Sequence, residues 1–123
     1  MFEITVEAGF SSGHYLRNYH GKCENVHGHN YRVRITVAGE QLDGTGLLVD
    51  FVELKRLMGA SIDYLDHRFI NDLAPFDELN PSAENIAKYF YDQVSGGLKG
   101  ETAVRIAEVR VWETDTSSAV YRP

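Results

Sequence analysis

Apolar and polar residues alternate in Phe2-Glu3-Ile4-Thr5-Val6-Glu7-Ala8, the period of a half-buried strand, and the run leads on to Gly9-Phe10-Ser11-Ser12-Gly13-His14. Asn30-Tyr31-Arg32-Val33-Arg34-Ile35-Thr36-Val37 alternates in the same way and predicts a second strand. Between them, residues 15–22 mix aromatic, basic and glycine residues without a period and read as a loop. Turn residues from Gly39 to Gly46 end the second strand. The period then changes. Asp50 stands where a helix cap belongs, and Phe51, Val52, Leu54, Leu57, Met58 and Ile62 recur at three- and four-residue spacing, predicting an apolar stripe packed on the sheet. Asn80-Pro81-Ser82-Ala83-Glu84-Asn85 opens a second helix, with Ser82 as cap and Glu84 favourable to the first-turn dipole. Ile86, Ala87, Phe90 and Val94 continue its apolar face to Gly96-Gly97, where it ends. Strong alternation from Thr102 to Glu113, beside Thr114, predicts a third strand, and Ser118-Ala119-Val120-Tyr121 is short enough for an edge strand.

The order ββααββ defines an α+β fold: a four-stranded antiparallel sheet with two helices on one face. Arg32, Arg34 and Thr36 alternate with Tyr31, Val33, Ile35 and Val37, so the sheet's other face is either polar and wet or the inner wall of an oligomer.

Composition narrows the class. The 123 residues, 43% of them hydrophobic, fit a single domain spanning 1–123. With 18 acidic against 12 basic residues the net charge is −6, which argues against nucleic acid as the main partner but leaves room for an anionic small molecule at a local basic cluster. The one cysteine makes no internal disulfide, so a reducing compartment is expected and the thiol is free for chemistry. No stretch approaches the roughly 20 apolar residues of a membrane span, and Met1-Phe2-Glu3 opens a strand pattern instead of a signal peptide. A soluble cytoplasmic protein is expected.

Candidate chemistry gathers in Cys23-Glu24-Asn25-Val26-His27-Gly28-His29. If the second strand reaches back to His27, both imidazoles face one way, and Gly28 leaves room for a neighbouring element on the opposite face. Taken alone, such a pair reads as satisfied, half-buried histidines. Antiparallel pairing of the first two strands adds His14, and three histidines without a fourth protein ligand are the pattern of a catalytic zinc site. His20, in the loop, reads as solvated. Asp66-His67 after the first helix is either a solvated pair at a helix end or, given tertiary contact, a proton-transfer pair for the thiol.

Together these segments resemble the 6-pyruvoyltetrahydropterin synthase and 6-carboxytetrahydropterin synthase family. The likeness runs through Phe10-Ser-Ser-Gly-His14, Cys23-x-x-x-His27-Gly-His29, Gly46 to Phe51, Leu65-Asp66-His67 with Asn71, Pro81 to Asn85, and Glu113-Thr114 with Ala119 and Tyr121. Each motif is weak, and their order is specific. The resemblance implies a tunnelling fold, sheets of several subunits closing into a barrel, commonly a homohexamer of two trimers with active sites at subunit interfaces. It implies zinc on His14, His27 and His29, Cys23 as catalytic base assisted by Asp66 and His67, and Glu113 anchoring the pterin of 7,8-dihydroneopterin triphosphate. No nicotinamide or flavin is implied, because the side chain supplies the reducing electrons. Cysteine four residues before His27 resembles the 6-carboxytetrahydropterin synthases of the queuosine-precursor pathway. Glutamate three residues before it, here Glu24, resembles side-chain lyases that make 6-hydroxymethyldihydropterin for folate, and both signatures stand side by side. The other reading of Glu24 is an ordinary loop glutamate. A pyruvoyl-forming reaction is disfavoured by the short spacing, and a pterin-binding module without chemistry is the alternative of a different class. Arg17, Lys22 and Arg68 are the cations near the motifs for a triphosphate.

Overall fold

The structure, a computed structural model, describes residues 1–21, 24–98 and 103–123. Two long strands, β1 (Phe2–His14) and β2 (His27–Gly39), pair antiparallel without a break from Phe2 opposite Gly39 to His14 opposite His27. β3 (Val104–Thr114) pairs with the other edge of β2, and β4 (Ser117–Tyr121) pairs with β3, giving the spatial order β1-β2-β3-β4. Thr102, where the alternation begins, lies outside the described residues. The alternation selects the core: Val33, Ile35, Val37, Val109 and Val111 are wholly buried on one face.

That face is covered by α1 (Phe51–Leu65) and α2 (Ala83–Gly97). Asp50 caps α1 by accepting from the Val52 amide, and Ser82 caps α2 by accepting from the Asn85 amide. Ile86, Ala87, Phe90 and Val94 of α2 are buried as their spacing predicts, each large side chain contributing about 1.5–3 kcal/mol. α2 runs through both glycines to its C-cap at Leu98. The α1 stripe needs correction. Leu54, Met58, Ser61, Ile62 and Leu65 face the sheet, while Phe51 and Val52 are 50% and 74% exposed. At 100° per residue Val52 turns away from the line of Leu54 and Met58, whereas Phe51 lies on that line but in the first turn, ahead of the buried stretch, so spacing alone overextended the stripe.

After α1 the chain runs along the free edge of β1. The His67 amide donates to the Ser11 carbonyl at 2.7 Å, the Gly13 amide donates to the Arg68 carbonyl at 3.1 Å, and the Ser11 amide donates to Oδ1 of Asp66 at 2.9 Å. Two asparagines then act as substitute strands for the chain leaving β1. The Asn71 side chain accepts from the Tyr15 amide at 3.0 Å and donates to its carbonyl at 3.1 Å, and Asn80 does the same for Arg17 at 2.8 and 2.9 Å. The Arg17 guanidinium closes this clamp by donating to the carbonyls of Phe76 at 2.7 Å and of Leu79 and Asn71 at 3.3 Å.

The sheet's other face is polar. Arg32, Arg34 and Arg110 surround Trp112 with guanidinium carbons 4.0, 4.8 and 5.7 Å from its ring centroid. Glu7 pairs with Arg34, and Glu108 pairs with Arg122. Among the described residues no helix is long and apolar enough to cross a membrane.

Candidate metal centre

His14 ends β1 and His27 begins β2, and the register makes them direct cross-strand partners. His29, two residues along β2, shares their face. Glu113 arrives from β3 by a different device. β3 and β4 pair Trp112 with Ser118 and Thr114 with Ser117, so Glu113 is the extra residue of a bulge, which re-aims its side chain toward the histidines. Its Oε1 lies 2.7 Å from Nε2 of His29, 3.2 Å from Nε2 of His14 and 4.0 Å from Nε2 of His27. The four ligand atoms all lie within 4.8 Å of one another.

Backbone carbonyls fix the ring tautomers. Nδ1 of His14 donates to the Pro81 carbonyl at 2.7 Å, and Nδ1 of His27 donates to the Asn25 carbonyl at 2.6 Å. A carbonyl only accepts, so each Nδ1 carries a proton and each neutral ring turns the lone pair of Nε2 inward. The two Nε2 atoms stand 3.0 Å apart. Nε2 of His29 is buried without a hydrogen-bond partner despite its approach to Glu113. Converging lone pairs and a carboxylate repel unless a cation sits among them, whether a proton or a metal ion. Tetrahedral zinc with bonds of about 2.0–2.1 Å separates its ligand atoms by roughly 3.4 Å, near the spacings here, so the donor set fits. Outer-shell carbonyls that orient ligating imidazoles complete the pattern.

Charge state follows from burial and neighbours. Burial lowers the His29 pKa first; Glu113 opposes that shift, and His14 and His27 add to it. Glu113 itself is held below the ordinary carboxylate range, chiefly by its close approach to the His14 ring, against the effect of its partial burial. Tyr31 stacks on Phe10 and meets His14 and His29 edge-on, and its buried hydroxyl has no partner.

Other candidate residues are distributed as follows. Nδ1 of His67 is 2.9 Å from Oδ1 of Asp66, and the His67 side chain is 82% exposed. The Ser11 amide, above all, keeps the Asp66 carboxyl below its usual range. This pair sits on the free edge of β1, where His67 and Arg68 border a cavity of about 550 Å³ with Gly28, His29 and Asn30. The space beside Gly28 thus opens on a cavity instead of a packed element. Glu113 borders a different cavity of about 210 Å³, with Ala83, Glu84, Ser117, Ser118 and Ala119. Glu24 and His20 are exposed and outside the cluster. Cys23 and Lys22 lie outside the described residues. Arg17 is engaged with backbone carbonyls. Sequence reasoning missed the orienting carbonyls of Pro81 and Asn25, the asparagine clamp and Tyr31. Only the clamp left a signal, in Asn71 and the Asn80–Asn85 segment.

A sheet with two helices on one face, and a His₃ cluster at one end of its first two strands, defines an α+β protein of the tunnelling-fold type with a candidate metal centre. Comparison with known proteins makes the assignment specific. Residues 3–123 match the family model described as 6-pyruvoyl tetrahydropterin synthase, and the chain belongs to that family. It is 40% identical over 128 residues to the 6-carboxy-5,6,7,8-tetrahydropterin synthase of Bacillus subtilis, covering 99% of this chain and 86% of that protein. It is 36% identical to the human 6-pyruvoyl tetrahydrobiopterin synthase, over 83% of this chain and 71% of the human protein. The solved structure of the Caenorhabditis elegans 6-pyruvoyl tetrahydropterin synthase superposes with a TM-score of 0.86 at 27% identity, covering 100% of this chain and 97% of the other.

Proposed function

We propose that this chain is a zinc-dependent enzyme that converts 7,8-dihydroneopterin triphosphate into 6-carboxy-5,6,7,8-tetrahydropterin, releasing acetaldehyde and triphosphate, on the route to queuosine-type 7-deazaguanines. The observation that carries this reading is the convergence of His14, His27 and His29 with Glu113 at the edge of a cavity, in a chain whose B. subtilis relative is named for that product.

Zinc held by the three histidines supplies a Lewis acid that acidifies the substrate's side-chain hydroxyls. The remaining work belongs to side chains of the protein. Glu113 matches the amino and ring N–H pair of a pterin, and its position in a cavity wall supports that role. Cys23, as thiolate, removes a proton from the substrate side chain. His67, with Nδ1 held by Asp66, has Nε2 free to exchange that proton. The substrate's own side chain provides the electrons that reduce the ring.

Within one chain, His67 and Glu113 border separate cavities, and His67 faces solvent. This supports a homo-oligomer in which His67 serves a site shared with a neighbour, and the family reading makes that assembly a cytoplasmic hexamer of two trimers. The adjacency of Cys23 and Glu24 favours a second activity, side-chain cleavage of dihydroneopterin to 6-hydroxymethyl-7,8-dihydropterin.

Product identification by mass spectrometry tests the reading, using zinc-loaded protein with dihydroneopterin triphosphate or dihydroneopterin. The triphosphate should give carboxytetrahydropterin, and Cys23→Ala should abolish turnover while keeping zinc and pterin binding. Unchanged turnover in Cys23→Ala would remove the thiolate from the mechanism, and absence of any turnover would leave a binding module. Hydroxymethyldihydropterin that disappears in Glu24→Ala would establish the second activity.

A further inference from the structure

We propose that the polar face of the sheet carries an anion site, built by Arg32, Arg34 and Arg110 around Trp112, that takes a condensed phosphate such as a triphosphate group. The site is separate from the metal centre. Side chains alternate along β2, so His27, His29 and Tyr31 fall on one face and Arg32 and Arg34 on the other.

Charge placement supplies the first argument. The β2–β3 register sets Arg34 directly opposite Arg110, and like charges in direct opposition destabilise a sheet. The chain is acidic, with a net charge of −6, yet its carboxylates do not resolve this conflict. Among the described residues, Glu7 alone forms a salt bridge with these three arginines, through Nε of Arg34 at 2.7 Å. Glu108, two residues before Arg110 on the same face, is engaged by Arg122 at 2.7 Å. Arg110 donates only to a hydroxyl, Oγ of Ser118 at 2.8 Å. Three guanidiniums against one carboxylate leave an excess of positive charge, a local conflict of the kind that a ligand resolves.

Preorganisation is the second. The indole of Trp112 gathers the three guanidinium carbons at 4.0, 4.8 and 5.7 Å from its centroid. A guanidinium already held against a ring loses less freedom when its fork of N–H donors takes a phosphate. Arg32 stands between Trp112 on β3 and Gly9 on β1. Gly9 puts no side chain on this face, which leaves room for a ligand beside the guanidinium.

Size is the third, and it selects the ligand. Arg32 and Arg34 are two residues apart on one strand, about 7 Å, and Arg34 and Arg110 face each other at about 5 Å. Glu7 on β1 and Glu108 on β3 bound the cluster. A long polyanion such as a nucleic acid would run over these carboxylates, whereas a compact anion of several charges meets the arginines alone.

The test follows the fluorescence of Trp112, the one tryptophan of the chain, in the zinc-loaded protein at fixed ionic strength, with inorganic tripolyphosphate as probe. The signal should change saturably, and Arg32→Gln and Arg110→Gln should each weaken binding about tenfold, the order of one lost charge-assisted contact. Glu7→Gln should tighten binding, because the competing carboxylate is gone. Zinc content after gel filtration separates this signal from metal stripping by the probe. ATP should bind as tripolyphosphate does, which shows that the phosphates alone are read; binding of ATP without binding of tripolyphosphate overturns the assignment. A signal that tracks ionic strength without saturating reports screening only, and an unchanged affinity in both arginine variants places the anion elsewhere; either result removes the site. Should an arginine variant fail to fold, as circular dichroism would reveal, Glu7→Gln decides: it keeps all three arginines, and affinity no higher than wild type counts against the proposal.

Discussion

Nε2 of His14 lies 3.0 Å from Nε2 of His27, and with both Nδ1 atoms committed to backbone carbonyls the two lone pairs face each other. The fold holds this repulsive contact in place from both sides, through Pro81 ahead of α2 and Asn25 ahead of β2. A bound cation converts it into an attraction. Chelation should therefore lower the melting temperature, and restored zinc at 100 times its dissociation constant should return about 2.7 kcal/mol of stability. Equal melting curves with and without metal would contradict a metal centre here.

Acid should weaken the metal-free protein in two stages. The pKa values of His29 and Glu113 are both lowered in the fold, from reference values of 6.5 and 4.5. The unfolded chain then binds more protons than the native one, so stability is full above the reference value and falls as pH drops through the folded one. The first loss begins near pH 6.5 with His29 and the second near pH 4.5 with Glu113. Thermal melts across this range should show both, and His29→Gln, which does not titrate, should lack the first.

Arg17 is one of three cations near the motifs that the sequence leaves unranked for a triphosphate, and its guanidinium grips the carbonyls of Phe76, Leu79 and Asn71. Arg17→Met should cost on the order of 1.5–3 kcal/mol, since hydrogen bonds from a charged donor to part-buried backbone carbonyls are lost. Triphosphate affinity of the folded fraction should be unchanged. A stable variant with weakened triphosphate binding would reverse this assignment.

His67 has φ of 56°, a left-handed conformation that β-branched residues avoid. Its side chain is exposed, so His67→Asn should melt within about 0.5 kcal/mol of wild type while losing turnover. His67→Val should lose about 1–3 kcal/mol in addition. Denaturant midpoints compared with activity separate backbone strain from chemistry.

The buried Tyr31 hydroxyl has no partner, whereas its ring stacks on Phe10 at 4.7 Å. Tyr31→Phe keeps the ring and removes the unsatisfied group. Metal-loaded Tyr31→Phe should be more stable by about 1 kcal/mol, as a raised denaturant midpoint. A less stable variant would mean the hydroxyl has a partner in the loaded protein.

By itself the sequence determined the elements and their faces. Period-two alternation in β1 and β2 fixed which side chains are buried, because a one-residue slip would turn Val33, Ile35 and Val37 to solvent. It put His27 and His29 on one face for the same reason, and capping chemistry at Asp50 and Ser82 marked the helix starts to the residue. Antiparallel pairing of the two runs brought His14 near His27 and His29, while the register that sets His14 directly opposite His27 was decided by the packed sheet. Tertiary structure decided what depends on long-range contact. Phe51 and Val52 share the apolar spacing of α1, but only packing shows that the sheet does not reach them. Glu113 reads as a strand-end glutamate; a bulge that shows only when β3 meets β4 carries it to histidines more than eighty residues away. Arg17 is basic in either setting, and its use depends on carbonyls that the loop before α2 brings to it. Local pattern records which surfaces must be buried, and the partners of polar groups are selected by whatever the burial brings together.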